Sequence, residues 1–98
     1  MYIIIWEFIV EEEKSKAFED AYGENGGWVT LFRHSEEYKG TSLLQDSQNP
    51  RRYLTIDRWV SKRAYDSFRE SHAAEYRALD EKCATLTTSE SLVGTFKD

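Results

Sequence analysis

One cysteine, one proline and two histidines are scattered through 98 residues, and each scarcity rules something out. Cys83 has no second cysteine to pair with, so no internal disulfide forms, which fits a reducing compartment. It falls on the apolar side of a helical pattern, where a small buried hydrophobe is the plain reading. His34 and His72 lie in distant segments, and no Cys or His cluster has zinc spacing. His72 and Glu75 form a His-x-x-Glu pair, a spacing common on helices, so no metal site is expected. There is no glycine-rich phosphate loop and no Ser or Cys nucleophile motif. Positive charge is also short: 13 Lys and Arg stand against 18 Asp and Glu, a net charge of −5. The one basic cluster, Arg51, Arg52 and Arg58, is spread along a single expected strand. Nucleic-acid binding rests on neutralising phosphates, so no nucleic-acid partner is expected. Long hydrophobic runs are missing too. "MYIIIWEFIV" is short, contains Glu7, and lacks a basic leader or a small-residue cleavage site. Neither a signal peptide nor a membrane span is expected, and the cytoplasm is the expected location.

What is abundant is aromatic. Three Trp, six Tyr and five Phe make 14% of the chain, and hydrophobic residues 40%. That supports a folded core and argues against disorder. The length fits one domain, residues 1–98. Such a domain buries roughly 60–70% of the surface its unfolded chain exposes. The aromatics therefore fill a shared core or line a cavity.

Residues 2–10 are β-branched and aromatic and read as a strand. Tyr2, Ile4, Trp6, Phe8 and Val10 share one face; Ile3, Ile5, Glu7 and Ile9 share the other. Both faces are mostly apolar, so both need cover. Residues 13–22 place Ala17, Phe18, Ala21 and Tyr22 on one helical stripe. Gly23 is the expected stop, through a left-handed conformation. Residues 27–34 read as a second short helix, and 38–47 as a strand with a bulge at its glycine. After a turn at Pro50, residues 51–60 form the clearest strand. There Arg52, Leu54, Ile56, Arg58 and Val60 oppose Tyr53, Thr55, Asp57 and Trp59. Ser61 is an expected N-cap. Tyr65, Phe68, His72, Tyr76, Leu79 and Cys83 then follow as one unbroken inner stripe. "TLTTSES" breaks the helix, and residues 91–97 close with a strand.

The order is strand, helix, strand, strand, helix, strand. This predicts an α+β, ferredoxin-like βαββαβ fold: one antiparallel sheet with helices on one face. The opposite face carries apolar side chains, and a second copy of the chain is the simplest cover. A pocket is expected where Trp59 ends its strand and Ser61 starts the helix.

"YLTIDRWVS" flowing into "KRAYDSFRESHAAEY" resembles the antibiotic-biosynthesis-monooxygenase family of dimeric α/β barrels. Members show an acidic residue, one intervening residue and Trp at the end of the third strand, with Ser capping the helix. Asp57, Trp59 and Ser61 match that pattern. The resemblance runs on through "FEDAYGENGGWVTLFRHSEEYKGTSLLQDSQNPRRYLTIDRW" and so spans nearly the whole chain. It implies a homodimer joined through the open sheet face, with one pocket per subunit. It also implies oxidation of a small aromatic phenol or quinol by O₂ with no cofactor. Many members carry a histidine nine residues after the Trp. Here that position is Phe68, and His72 follows one turn later. Relatives that degrade haem use a strand Asn, whereas Asn25 and Asn49 fall in expected turns.

Each candidate has two readings. Trp59 is a pocket wall with an indole donor, or a packed strand end. His72 is a general base, or a helix histidine bonded to a neighbour. Tyr65, Phe68 and Tyr76 bind substrate, or fill the core. Arg58 steadies an anion from the sheet, or pairs with a nearby acid. Two other functions fit the same residues: a non-catalytic protein that binds a small hydrophobic metabolite, and a proton-transfer isomerase. Fold does not choose among them.

Overall fold

A computed structural model describes residues 1–98. The alternating run at the N-terminus forms β1 (Tyr2–Val10). Next come two short helices, α1 (Ser15–Tyr22) and α2 (Gly27–Phe32), and the hairpin β2 (Tyr38–Gln45) and β3 (Arg52–Trp59). Helices α3 (Lys62–Ser71) and α4 (Ala73–Cys83), one 3₁₀ turn at Ala84–Leu86 and β4 (Thr87–Lys97) complete the chain. The strands run in the order β2-β3-β1-β4, every neighbouring pair antiparallel. That is the expected ferredoxin-like α+β fold.

Register decides which side chains meet. Ile4 pairs with Asp57, and Asp57 with Thr41; Trp6 pairs with Thr55, and Phe8 with Tyr53. These rows face the helices. Tyr53, Thr55, Asp57 and Trp59 are all buried, in strict alternation along β3. The opposite face carries Ile3, Ile5, Ile9, Leu54 and Ile56, with Leu44 and Phe96 47% and 49% exposed at its flanks.

The core is a lattice of rings between sheet and helices. Phe18, at 0% exposure, stacks on Tyr22 with centroids 4.3 Å apart and tilts against Phe8 and Tyr53. Trp59, also at 0%, lies 5.1 Å from Phe68, 5.4 Å from Tyr65 and 5.5 Å from Phe32. Aromatic pairs at such spacings add about 0.5–1.5 kcal/mol each beyond the area they bury.

Three expectations are corrected. The inner stripe is not one helix: His72, at φ −120° and ψ 30°, ends α3 and begins α4. The one-residue break leaves Phe68 against Trp59 while Tyr76 meets Trp28 edge-on at 4.9 Å. Gly23 is extended, not left-handed. It is suited there because a Cβ would sit 2.6 Å from the Glu19 carbonyl oxygen that ends α1. The last strand begins at Thr87, inside the stretch read as a helix breaker, because β1 is long enough to pair with it as far as Val10.

Two local expectations hold. The Ser61 side chain accepts from the Ala64 N–H at 3.1 Å, capping α3. Gly40 sits at φ +117°, where β2 skips one residue against β3 between Tyr38 and Gly40. The bulge puts Tyr38 and Thr41, three residues apart, on the same inner face, which plain alternation forbids.

Candidate active site

A partly enclosed space lies between the middle of the sheet and the helices. Its floor is Trp6 from β1, Thr55 and Asp57 from β3 and Thr41 from β2. Trp28, Val29 and Phe32 of α2 form the roof, with Tyr22 and Tyr76 at the sides and Glu90 of β4 at one end. About 30 Å³ is open to the centre of a water molecule, room for water but not for a ring. Tyr76 borders both this cleft and an outer groove formed by Arg69, Ala73 and Asp80. Its ring therefore stands between the two spaces. The Arg69 guanidinium lies over the Tyr76 ring at 3.7 Å and donates to the Tyr65 hydroxyl at 3.0 Å.

Asp57 is the only acid in the floor. At 8% exposure it is nearly out of water, and burial pushes its carboxyl up to about 6. The Thr41 hydroxyl, donating to Oδ1 at 2.6 Å, and the Arg58 charge oppose the rise. Oδ2 makes no hydrogen bond, yet it is not sealed from solvent. Oδ1 of Asp57 is thus held, and Oδ2 is free of hydrogen bonds in a residue that lines the cleft. A carboxyl that titrates near neutral pH and has a free oxygen in an aromatic slot is suited to take and return a proton. Burial also raises the Tyr22 and Tyr76 phenols far above their ordinary value, so both stay neutral donors. Partial burial, then repulsion from Asp80, raises Glu90.

Of the six residues singled out from the sequence, Tyr76 alone lines this cleft. Trp59 lies behind Phe32, fully buried, with its indole N–H unpartnered. Tyr65 and Phe68 pack on Trp59. His72 stacks on Phe68 at 4.8 Å and on His34 at 5.5 Å, and its Nδ1 lies 2.9 Å from Glu75. Arg58 points to the open face and donates to Ser42 at 3.1 Å. Sequence reasoning placed Asp57 on the Tyr53, Thr55 and Trp59 face of its strand and in the family signature, but not among the site residues. The alternation of β3 was enough to place it inward beside Thr55. No group of three His, Cys, Asp or Glu side chains is placed to hold a metal ion. No helix is long and apolar enough to cross a membrane.

Residues 1–81 match the family described as "Antibiotic biosynthesis monooxygenase". The chain belongs to that family. Among solved structures, SnoaB, a cofactor-independent oxygenase from Streptomyces nogalater, superposes with a TM-score of 0.80. Its identity is 14%, covering 99% of this chain and 91% of SnoaB. Protein SO0527 from Shewanella oneidensis gives a TM-score of 0.71 at 18% identity, covering 97% of this chain and 87% of that one. No curated protein matches this family member. At such identities the structural likeness carries the fold, and the chemistry must come from the site.

Proposed function

We propose that this protein is a cofactor-independent monooxygenase that oxidises a small aromatic phenol or quinol with O₂. The observation that carries the reading is Asp57: a buried carboxyl, titrating near 6, in the floor of an aromatic cleft. The substrate ring lies between Trp6 and the Trp28–Phe32 roof once Tyr76 has swung aside. Asp57 Oδ2 takes a proton from the ring's acidic position. The electron-rich carbanion or phenolate then gives an electron to O₂, and the two radicals join as a peroxide anion. Asp57 returns its proton, and loss of water from the hydroperoxide leaves a carbonyl. An anthrone plus O₂ becomes an anthraquinone plus water, so no outside reductant is needed. Trp59, Tyr65 and Phe68 support the roof through Phe32 and do not touch the ring. His72 and Arg58 act outside the cleft.

The protein works as a homodimer in the cytoplasm. The apolar row Ile3, Ile5, Leu54 and Ile56 supports association of two open sheet faces. A free buried thiol at Cys83 suits a reducing compartment.

Oxygen uptake by metal-free protein with anthrones and hydroquinones tests the activity. Asp57→Asn is expected to lower turnover by about 10²–10⁴-fold, the usual contribution of a positioned base. Uptake that survives Asp57→Asn removes Asp57 as the base. No uptake with any substrate moves the reading to a binding protein.

A further inference from the structure

Asp57 lines the cleft, and its hydrogen-bond partner Thr41 also reaches a second space. Beyond Thr41 lies an outer groove of about 500 Å³, lined by Tyr38, Lys39, Gly40, Arg33 and Glu24. Thr41 and Val29 border both the groove and the cleft. The wall between them is crossed by hydroxyls. Thr41 Oγ1 donates to Asp57 Oδ1 at 2.6 Å, and the Tyr38 hydroxyl lies 2.5 Å from Thr41 Oγ1. Tyr38 makes no other side-chain hydrogen bond and borders the groove. Asp57, Thr41 and Tyr38 therefore form one unbroken file from cleft to groove. The Gly40 bulge is what brings Tyr38 and Thr41 to the same face.

We propose that Thr41 and Tyr38 are positioning residues that conduct the Asp57 proton through the wall to the outer groove. This rests on the reading of Asp57 as the base. With a ring over Oδ2, the cleft mouth is blocked by the substrate itself, and the base needs a second exit to exchange protons with solvent. A half-turn of the protonated carboxyl presents its proton to Thr41. The Asp57 O–H bond breaks as Thr41 Oγ1 takes that proton and passes its own to the Tyr38 oxygen. Tyr38 releases its own proton to water in the groove. Each hydroxyl ends with one proton, Asp57 ends as carboxylate, and no electron leaves its pair. Protonation of Asp57 runs the file in reverse. Hydroxyls suit this role because each both donates and accepts. The charged and titratable groups around the file are Arg58 beside Asp57, Arg33, Lys39 and Glu24 along the groove by Tyr38, and Tyr22, Tyr76 and Glu90 around the cleft.

The test needs neither substrate nor oxygen. Infrared spectroscopy follows the Asp57 carboxylic-acid carbonyl band in the ligand-free protein, assigned by its loss in Asp57→Asn. A light-triggered proton release near the Asp57 midpoint then gives the rate at which the band grows. With Tyr76 displaced and benzene, a neutral ring without a proton to give, seated across the cleft, Tyr38→Phe is expected to slow that rate by about a hundredfold. Thr41→Val is expected to do the same, and Thr41→Ser to restore it. The equilibrium midpoint in Tyr38→Phe stays near wild type, which separates conduction from a change in structure. Equal rates in wild type and Tyr38→Phe overturn the proposal, because the proton then leaves by another door. So does the lack of any titrating Asp57 band. Failure here leaves the oxygen-uptake test of Asp57→Asn standing, so the two readings fall separately.

Discussion

Asp57→Asn should stabilise this protein while disabling it. A carboxyl raised by folding holds its proton more tightly in the folded chain than in the unfolded one. Below the ordinary value of 3.8, both states are protonated and nothing is lost. Between 3.8 and about 6 the folded chain keeps a proton that the unfolded chain has released, so stability falls as pH rises. Above about 6 the full loss is in place. The gap between 3.8 and about 6, at about 1.4 kcal/mol per pH unit, makes that loss about 3 kcal/mol. Asparagine is neutral throughout and its amide oxygen still accepts from Thr41. The variant should therefore melt higher than wild type at pH 8, by on the order of 10 °C for a domain of this size. The difference should shrink as pH drops through 6 toward 4. Thermal melts of both proteins across that range, followed by circular dichroism, give the answer. A variant less stable than wild type at pH 8, or a difference independent of pH, would refute the argument that Asp57 is buried at a cost. A stabilised, inactive variant is the pattern expected where function maintains a strained site.

Other perturbations reach other parts of the fold. Phe18→Ala should cost about 3–5 kcal/mol in urea unfolding, because a fully buried ring in contact with three others leaves a cavity. Ser61→Ala should cost about 1 kcal/mol by the same measurement, through loss of the α3 cap. Gly40→Ala should destabilise by more than about 1 kcal/mol, since alanine strains at φ +117°. Ile56→Lys on the open face should leave the circular dichroism spectrum unchanged and shift sedimentation from dimer to monomer; an unchanged dimer would place the interface elsewhere.

The fold was legible because its signals are local. Alternation in β1 and β3 assigned each face, Ser61 marked a helix start, and the glycine in β2 marked a bulge. The site was less legible because it depends on register between strands far apart in sequence. Thr41 reaches Asp57 across 16 residues, and only the pairing of β2 with β3 puts them side by side. Tyr38 joins them only through the bulge. A periodic stripe from Tyr65 to Cys83 keeps its spacing through a break of one residue, so the change of direction at His72 left no mark in the pattern. The pull of the Trp59–His72 segment came from its aromatic density, and the structure uses much of that density to hold up the roof of a cleft it does not line.

The edges of the sheet have a bearing on how the chain behaves in a crowd. β2 and β4 are the outer strands, each with one row of backbone groups free of a sheet partner. Both are irregular: β2 at Lys39 and Gly40, β4 where Val93 and Thr88 are skipped against β1. A bulge bends and twists its strand, so the straight length of edge open to a foreign strand is shortened. Growth of the sheet sideways into fibres is thereby discouraged at both ends. The apolar face remains as the proposed dimer surface, and a two-fold contact there would close a pair rather than open a polymer.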